Sequence, residues 1–110
     1  MIRIENAYTY KGDGFVCSRP SPLGNPFKID SKTSRSEAVS KYRVWLLEQF
    51  ENADNPATKA FMALVDHYRQ EGELTLICWC VPLLCHTEVI REFILSICKE
   101  MDKNEDKILK

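Results

Sequence analysis

Leu74-Thr75-Leu76-Ile77-Cys78-Trp79-Cys80-Val81 is almost wholly apolar, and Pro82 follows it. The run is short and bounded by Gly72 on one side and proline on the other. It reads as a buried central strand, covered on both faces and closed by Pro82. The elements around it then have to pack on a sheet. Upstream, Asn55-Pro56 opens a helix, with asparagine as cap and proline at the first position. Ala57, Phe61, Leu64, Val65 and Tyr68 make its apolar face, and Gly72 ends it. Further upstream, Ser34 with Glu37 forms a capping box for a helix over 35–51, whose apolar positions are Ala38, Tyr42, Trp45, Leu46 and Phe50. Downstream, a third helix starts near Cys85–Thr87 and carries Val89, Ile90, Phe93, Ile94, Ile97, Cys98 and Met101.

The N-terminal region supplies two further strand signals. Ile2 and Ile4 alternate with Arg3 and Glu5, and Phe15-Val16-Cys17-Ser18 follows the turn residues Gly12-Asp13-Gly14. The second is a candidate hairpin partner of the first, and strand order and direction are left open. The order is therefore ββ-loop-ααβα, an α/β class protein. It is a small single domain over residues 1–101, with a short sheet of about three strands packed by about three helices. Residues 102–110 (DKNEDKILK) read as a charged, flexible tail. A narrow sheet is compatible with a homo-oligomer that extends or covers it.

Composition narrows the function classes. The chain has 110 residues, the size of one domain. Fifteen Lys+Arg against sixteen Asp+Glu give a net charge of −1, which argues against a nucleic-acid partner that depends on a cationic surplus. No apolar run reaches the roughly 18 residues of a membrane span, so no membrane association is expected. No secretory signal is visible, so the expected location is cytoplasmic. The five cysteines are odd in number and match no closed disulfide framework.

Two segments can carry chemistry. The first is Arg19-Pro20-Ser21-Pro22-Leu23-Gly24-Asn25-Pro26-Phe27, a loop stiffened by three prolines. Arg19, Ser21, Gly24, Asn25 and backbone amides on a rigid loop suit a phosphate- or ribose-bearing ligand. A rigid connector with Arg19 paired to a surface carboxylate is the alternative. Each Xaa-Pro bond in it is a candidate cis peptide. The second segment is the strand–turn–helix unit ending in Cys85-His86-Thr87. Ligands in open α/β sheets bind beyond the carboxyl ends of strands, and Cys80 lies there. Amides at a helix start attract anions and bias a thiol toward thiolate. Cys85 and His86 are thus candidate catalytic groups, although neighbours at a helix start are not expected to point at one another.

Cys78, Cys80, Cys85 and His86 also form a possible zinc set. However, Cys78-x-Cys80 lies in a strand, where the α-carbons stand about 6.6 Å apart. Structural zinc sites favour C-x2-C turns instead. Buried core thiols are the competing reading for Cys78 and Cys80, and core is the reading for Cys98. His67 near a helix C-terminus reads as structural. Arg35, Lys41 and Arg43 read as a solvated face.

The proline loop, Glu37-Ala38-Val39 with Tyr42 and Trp45-Leu46, and Leu76-Ile77-Cys78-Trp79-Cys80 with Pro82 and Cys85-His86 together resemble an uncharacterised family of small bacterial and phage proteins. That family is called domain of unknown function 4326. The resemblance spans roughly residues 14–98. Ser18 stands where the family tends to have glycine, and Thr87-Glu88 where it tends to have Gly-Asp. The resemblance implies one compact α/β domain and a shared site, and it carries no activity. The function expected is binding of a phosphate-bearing, nucleotide-like small molecule through Arg19, Ser21, Gly24, Asn25, Cys80, Cys85, His86 and Thr87, with no cofactor. In a phage, such a domain would sequester a host nucleotide signal. The alternatives are a small enzyme acting on such a substrate through Cys85 and His86, a zinc-stabilised interaction module, or a protein-binding inhibitor. The ligand reading requires loop 19–27 to face the Cys85-His86 helix start.

Overall fold

A computed structural model describes residues 1–80 and 83–109, with side chains described through residue 103. The expected strand stop at Pro82 lies outside the described residues. The elements are β1 (Ile2–Asn6), β2 (Phe15–Val16), α1 (Arg35–Gln49), α2 (Pro56–Glu71), β3 (Leu74–Cys78) and α3 (Thr87–Leu109). They make a mixed α/β domain with one small parallel sheet.

The helices begin where their caps predict. Ser34 accepts a hydrogen bond from the Glu37 amide, and Asn55 accepts one from the Ala57 amide with Pro56 at the helix start. Gly72 closes α2 in the left-handed conformation, with φ at 75°. Asn55 Nδ2 donates to Gln49 Oε1 at 2.7 Å, and the Thr58 hydroxyl donates to the Gln49 carbonyl at 2.7 Å. These bonds join the end of α1 to the start of α2. The segment 102–109 continues α3 to Leu109.

The sheet order is β1-β3-β2, and both outer strands run parallel to β3. The candidate hairpin between the first two strands does not form. β3 is the most buried strand and takes the central seat, offering one edge to each partner. The connection 7–14 therefore crosses the sheet instead of turning back along its own edge. A short crossover suffices because β1 ends opposite Cys78 whereas β2 starts opposite Leu76, only two residues lower. Gly14 makes that crossing possible. A Cβ there would lie 2.9 Å from the Ile77 side chain and 3.0 Å from the Thr75 carbonyl oxygen.

β3 also differs from the expected two-sided burial. Leu74, Leu76 and Cys78 are buried, while Thr75 and Ile77 are half-buried. The buried cluster joins Ile2, Leu74 and Leu76 to Tyr42 and Leu46 of α1, Phe61, Leu64 and Val65 of α2, and Val89, Ile90 and Ile94 of α3. Each fully buried Leu, Ile or Phe contributes roughly 1.5–3 kcal/mol through area removed from water. Gly14 of the crossover lies close against Ile77, one of the half-buried positions. The strand ends at Cys78, so Trp79 and Cys80 leave the sheet as a bend at its carboxyl end.

Candidate functional site

The stiff loop is fixed to α1 at two points. The Tyr42 hydroxyl donates to the Leu23 carbonyl at 2.7 Å, and Asn25 Nδ2 donates to the Ala38 carbonyl at 3.2 Å. Within the loop, the Ser21 amide donates to Ser18 O and the Gly24 amide to Ser21 O, both at 2.8 Å. The Arg19–Pro20 peptide is cis. The loop folds back so tightly that a Cβ on Gly24 would lie 2.8 Å from the Arg19 nitrogen. Asn25 is consumed by this construction. Its Oδ1 accepts from the Phe27 amide at 2.9 Å while its Nδ2 holds Ala38. It braces the loop rather than offering a free donor and acceptor.

A cavity of about 420 Å³ opens between this loop, the start of α1, the end of β3 and the approach to α3. Arg19, Asn25, Cys80, Cys85 and His86 of the expected site line it. Ser21, Gly24 and Thr87 do not. Ser21 accepts from the Leu23 amide and faces a separate hollow beside Ala60 and Leu64. Gly24 packs against the Arg19 backbone, and Thr87 is fully buried beneath Cys78.

Lys28, Arg35 and Trp79 also line the cavity, and the sequence reading missed all three. Arg35 was expected on a solvated face. It occupies the first position of α1, next to the positive end of the helix dipole, where a cation is disfavoured. That misplacement was a legible signal. Its guanidinium donates to the Leu84 carbonyl at 3.2 Å, committing one of five N–H donors. With Arg19 and Lys28, it gives the cavity three cationic side chains and no carboxylate among the described lining residues. Trp79 stands half-exposed at the rim, with the Tyr8 ring edge-on at 4.4 Å between centroids.

The inner wall holds a relay of polar atoms. Cys85 Sγ lies 3.3 Å from His86 Nδ1 and 3.3 Å from Cys78 Sγ. His86 Nε2 lies 2.6 Å from the Cys17 carbonyl oxygen. A carbonyl only accepts, so Nε2 carries the ring proton and Nδ1 turns its lone pair to Cys85. The expectation that Cys85 and His86 diverge is thus corrected. Cys85 and His86 precede α3, so helical geometry does not separate their side chains. The Cys17 carbonyl and the Tyr42 ring, edge-on at 4.9 Å, hold the imidazole in place.

Electrostatics follow from burial and contact. The Cys85 thiol is pulled below its ordinary value by hydrogen bonds with Cys78 and Thr87, which outweigh burial. The bond with Cys85, together with burial, pushes Cys78 strongly up. Burial raises Cys17 to about 12 and lowers His86, with Arg19 adding to the latter. The α3 amides are less available than expected for an anion. Those of Glu88, Val89 and Ile90 donate to the carbonyls of Cys85 and His86. Charge in the cavity therefore comes from side chains.

Among the described residues, no three His, Cys, Asp or Glu side chains converge as metal ligands, the set Cys78, Cys80, Cys85 and His86 included. No helix among them is long and apolar enough to cross a membrane. No curated protein and no solved structure matches the chain. The model of one family, Domain of unknown function (DUF4326), matches residues 2–96. With most of its length covered, including the proline loop and the Cys85-His86 unit, the chain belongs to the DUF4326 family.

Proposed function

We propose that the protein binds a phosphate-bearing, nucleotide-like small molecule in this cavity. The carrying observation is the convergence of Arg19, Lys28 and Arg35, from loop and helix, on a hollow with no described carboxylate. Guanidinium and ammonium groups without a neutralising partner in the wall favour an anionic ligand, and the arginine fork matches phosphate oxygens. Phe27, Ile29, Leu84 and the half-exposed Trp79 line the rest. Such a mixture of cations and apolar surface fits a ligand with a charged end and a flat, poorly hydrated body. A phage protein of this kind would act by sequestering a host nucleotide signal.

Calorimetry against nucleotides, ADP-ribose and ribose 5-phosphate tests the reading. Binding to wild type that weakens at least tenfold in an Arg19→Ala, Lys28→Ala double variant supports it. Folded protein that binds none of them at millimolar ligand overturns it.

The Cys85–His86 contact favours a second reading, in which the bound molecule is also a substrate. His86 Nδ1 would take the Cys85 proton, and the thiolate would attack an electrophilic centre held by the cations. Cys85→Ala that keeps ligand affinity but loses product formation supports this enzyme. Equal, background turnover in both proteins removes it.

A further inference from the structure

We propose that Cys78 and Cys85 form a peroxide-reactive dithiol in the cavity wall, which closes to a disulfide tying the end of β3 to the residues that lead into α3. This inference stands apart from the ligand reading and needs no nucleotide.

Three observations carry it. The sulfurs are already in contact at 3.3 Å. A disulfide needs ~2.05 Å, so they approach by roughly 1.2 Å. The pair is also asymmetric. Cys85 has an imidazole base at 3.3 Å whose tautomer is fixed from behind by the Cys17 carbonyl. Cys78 has instead the Thr87 hydroxyl at 3.7 Å. Finally, both residues line the cavity, and because Cys78 is fully buried while Cys85 is 2 % exposed, Cys85 is the sulfur that an oxidant as small as hydrogen peroxide meets first. The remaining cysteines lack this combination. Cys17 faces a different hollow, Cys98 lies along α3, and Cys80 lines the cavity with no sulfur in contact among the described residues.

The steps balance. The Cys85 proton passes to His86 Nδ1, and the thiolate sulfur attacks one peroxide oxygen. The O–O bond breaks, an S–OH bond forms on Cys85, and the departing hydroxide takes the proton back from His86 as water. The Cys78 sulfur then attacks the Cys85 sulfur. The S–O bond breaks, the S–S bond forms, and the second hydroxide leaves as water with the Cys78 proton. Two thiols are oxidised, one peroxide is reduced, and two waters form. The lowered Cys85 thiol agrees with its role as the first nucleophile, whereas Cys78, whose thiol is raised, has to pass its proton to the departing hydroxide as it attacks.

The test treats the folded, full-length protein with one molar equivalent of hydrogen peroxide and maps disulfides by peptide mass spectrometry. The expected result is loss of two thiols per chain, a Cys78–Cys85 linkage, and full recovery with dithiothreitol. His86→Gln should slow thiol loss about tenfold or more. Cys78→Ser, checked for folding by circular dichroism, should stop at a Cys85 sulfenic acid trapped by dimedone. Wild-type mapping decides alone if that variant does not fold. Oxidation of Cys80 with Cys78 and Cys85 still reduced, linkage of another pair, or unchanged thiols overturns the proposal.

Discussion

The Tyr42 hydroxyl reaches from α1 to donate a hydrogen bond to the Leu23 carbonyl oxygen, 2.7 Å away and buried. One side chain thereby fixes the proline loop against the helix that carries Arg35. Burial pushes the phenol pKa far above its ordinary value, so the hydroxyl stays a donor throughout the working pH range. Tyr42→Phe keeps the ring in the core but leaves the Leu23 carbonyl without its partner. The cost should be about 1–3 kcal/mol, read as a lower urea midpoint with an unchanged slope. Ligand affinity should fall as well, because the loop bearing Arg19 loses a fixed point.

Gly24→Ala should be among the most damaging small substitutions. The new methyl would meet the Arg19 nitrogen at 2.8 Å and its α-carbon at 2.9 Å. Those are backbone atoms, which cannot swing aside. We expect a loss of about 1–3 kcal/mol from overpacking and a displaced Arg19. Gly12→Ala offers a comparison. There the close atoms belong to the end of the Tyr10 side chain, which can rotate away, so stability should change by less than about 0.5 kcal/mol. Equal thermal midpoints for the two variants would contradict the packing described.

His86 predicts a pH dependence of stability. Burial disfavours its imidazolium, so its folded pKa lies below the ordinary 6.5. The unfolded chain takes up this proton near 6.5, whereas the folded chain does so only at lower pH. Across that interval the unfolded state binds more protons, and stability falls as pH falls. The contribution is complete above the unfolded value and lost once pH passes below the folded one. Urea midpoints measured from pH 7.5 to 5 should decline in wild type. They should decline less in His86→Gln, and parallel curves would sink this assignment.

Ligand binding should depend on salt. Arg19 and Lys28 are exposed enough for ions to screen them. Screening shortens from ~10 Å at 0.1 M to ~3 Å at 1 M. Affinity for a phosphate-bearing ligand should therefore drop over that range. Lys28→Gln should weaken binding by roughly five- to tenfold at low salt and flatten the dependence. Calorimetry at several salt concentrations reads both effects. A salt-independent affinity would place the ligand's charge away from these residues.

Local sequence chemistry determined the elements of this protein. The apolar run from Leu74, the caps at Ser34 and Asn55-Pro56, and the stop at Gly72 each act over a few residues, so each was legible without a fold. The loop's stiffness was legible for the same reason, whereas the shared cavity of loop 19–27 and the Cys85-His86 unit joins segments distant in sequence and is set by the tertiary fold. Tertiary structure alone decided how the pieces combine. β2 pairs with β3 because β3 leaves an edge open, and nothing in Phe15-Val16 encodes that choice. The His86 tautomer depends on a carbonyl 69 residues away. The Cys78–Cys85 contact and the cationic lining arise only when a strand end, a loop and two helix starts share one cavity. Periodicity and capping report on neighbours along the chain, whereas these contacts are set by packing among segments that are distant in sequence.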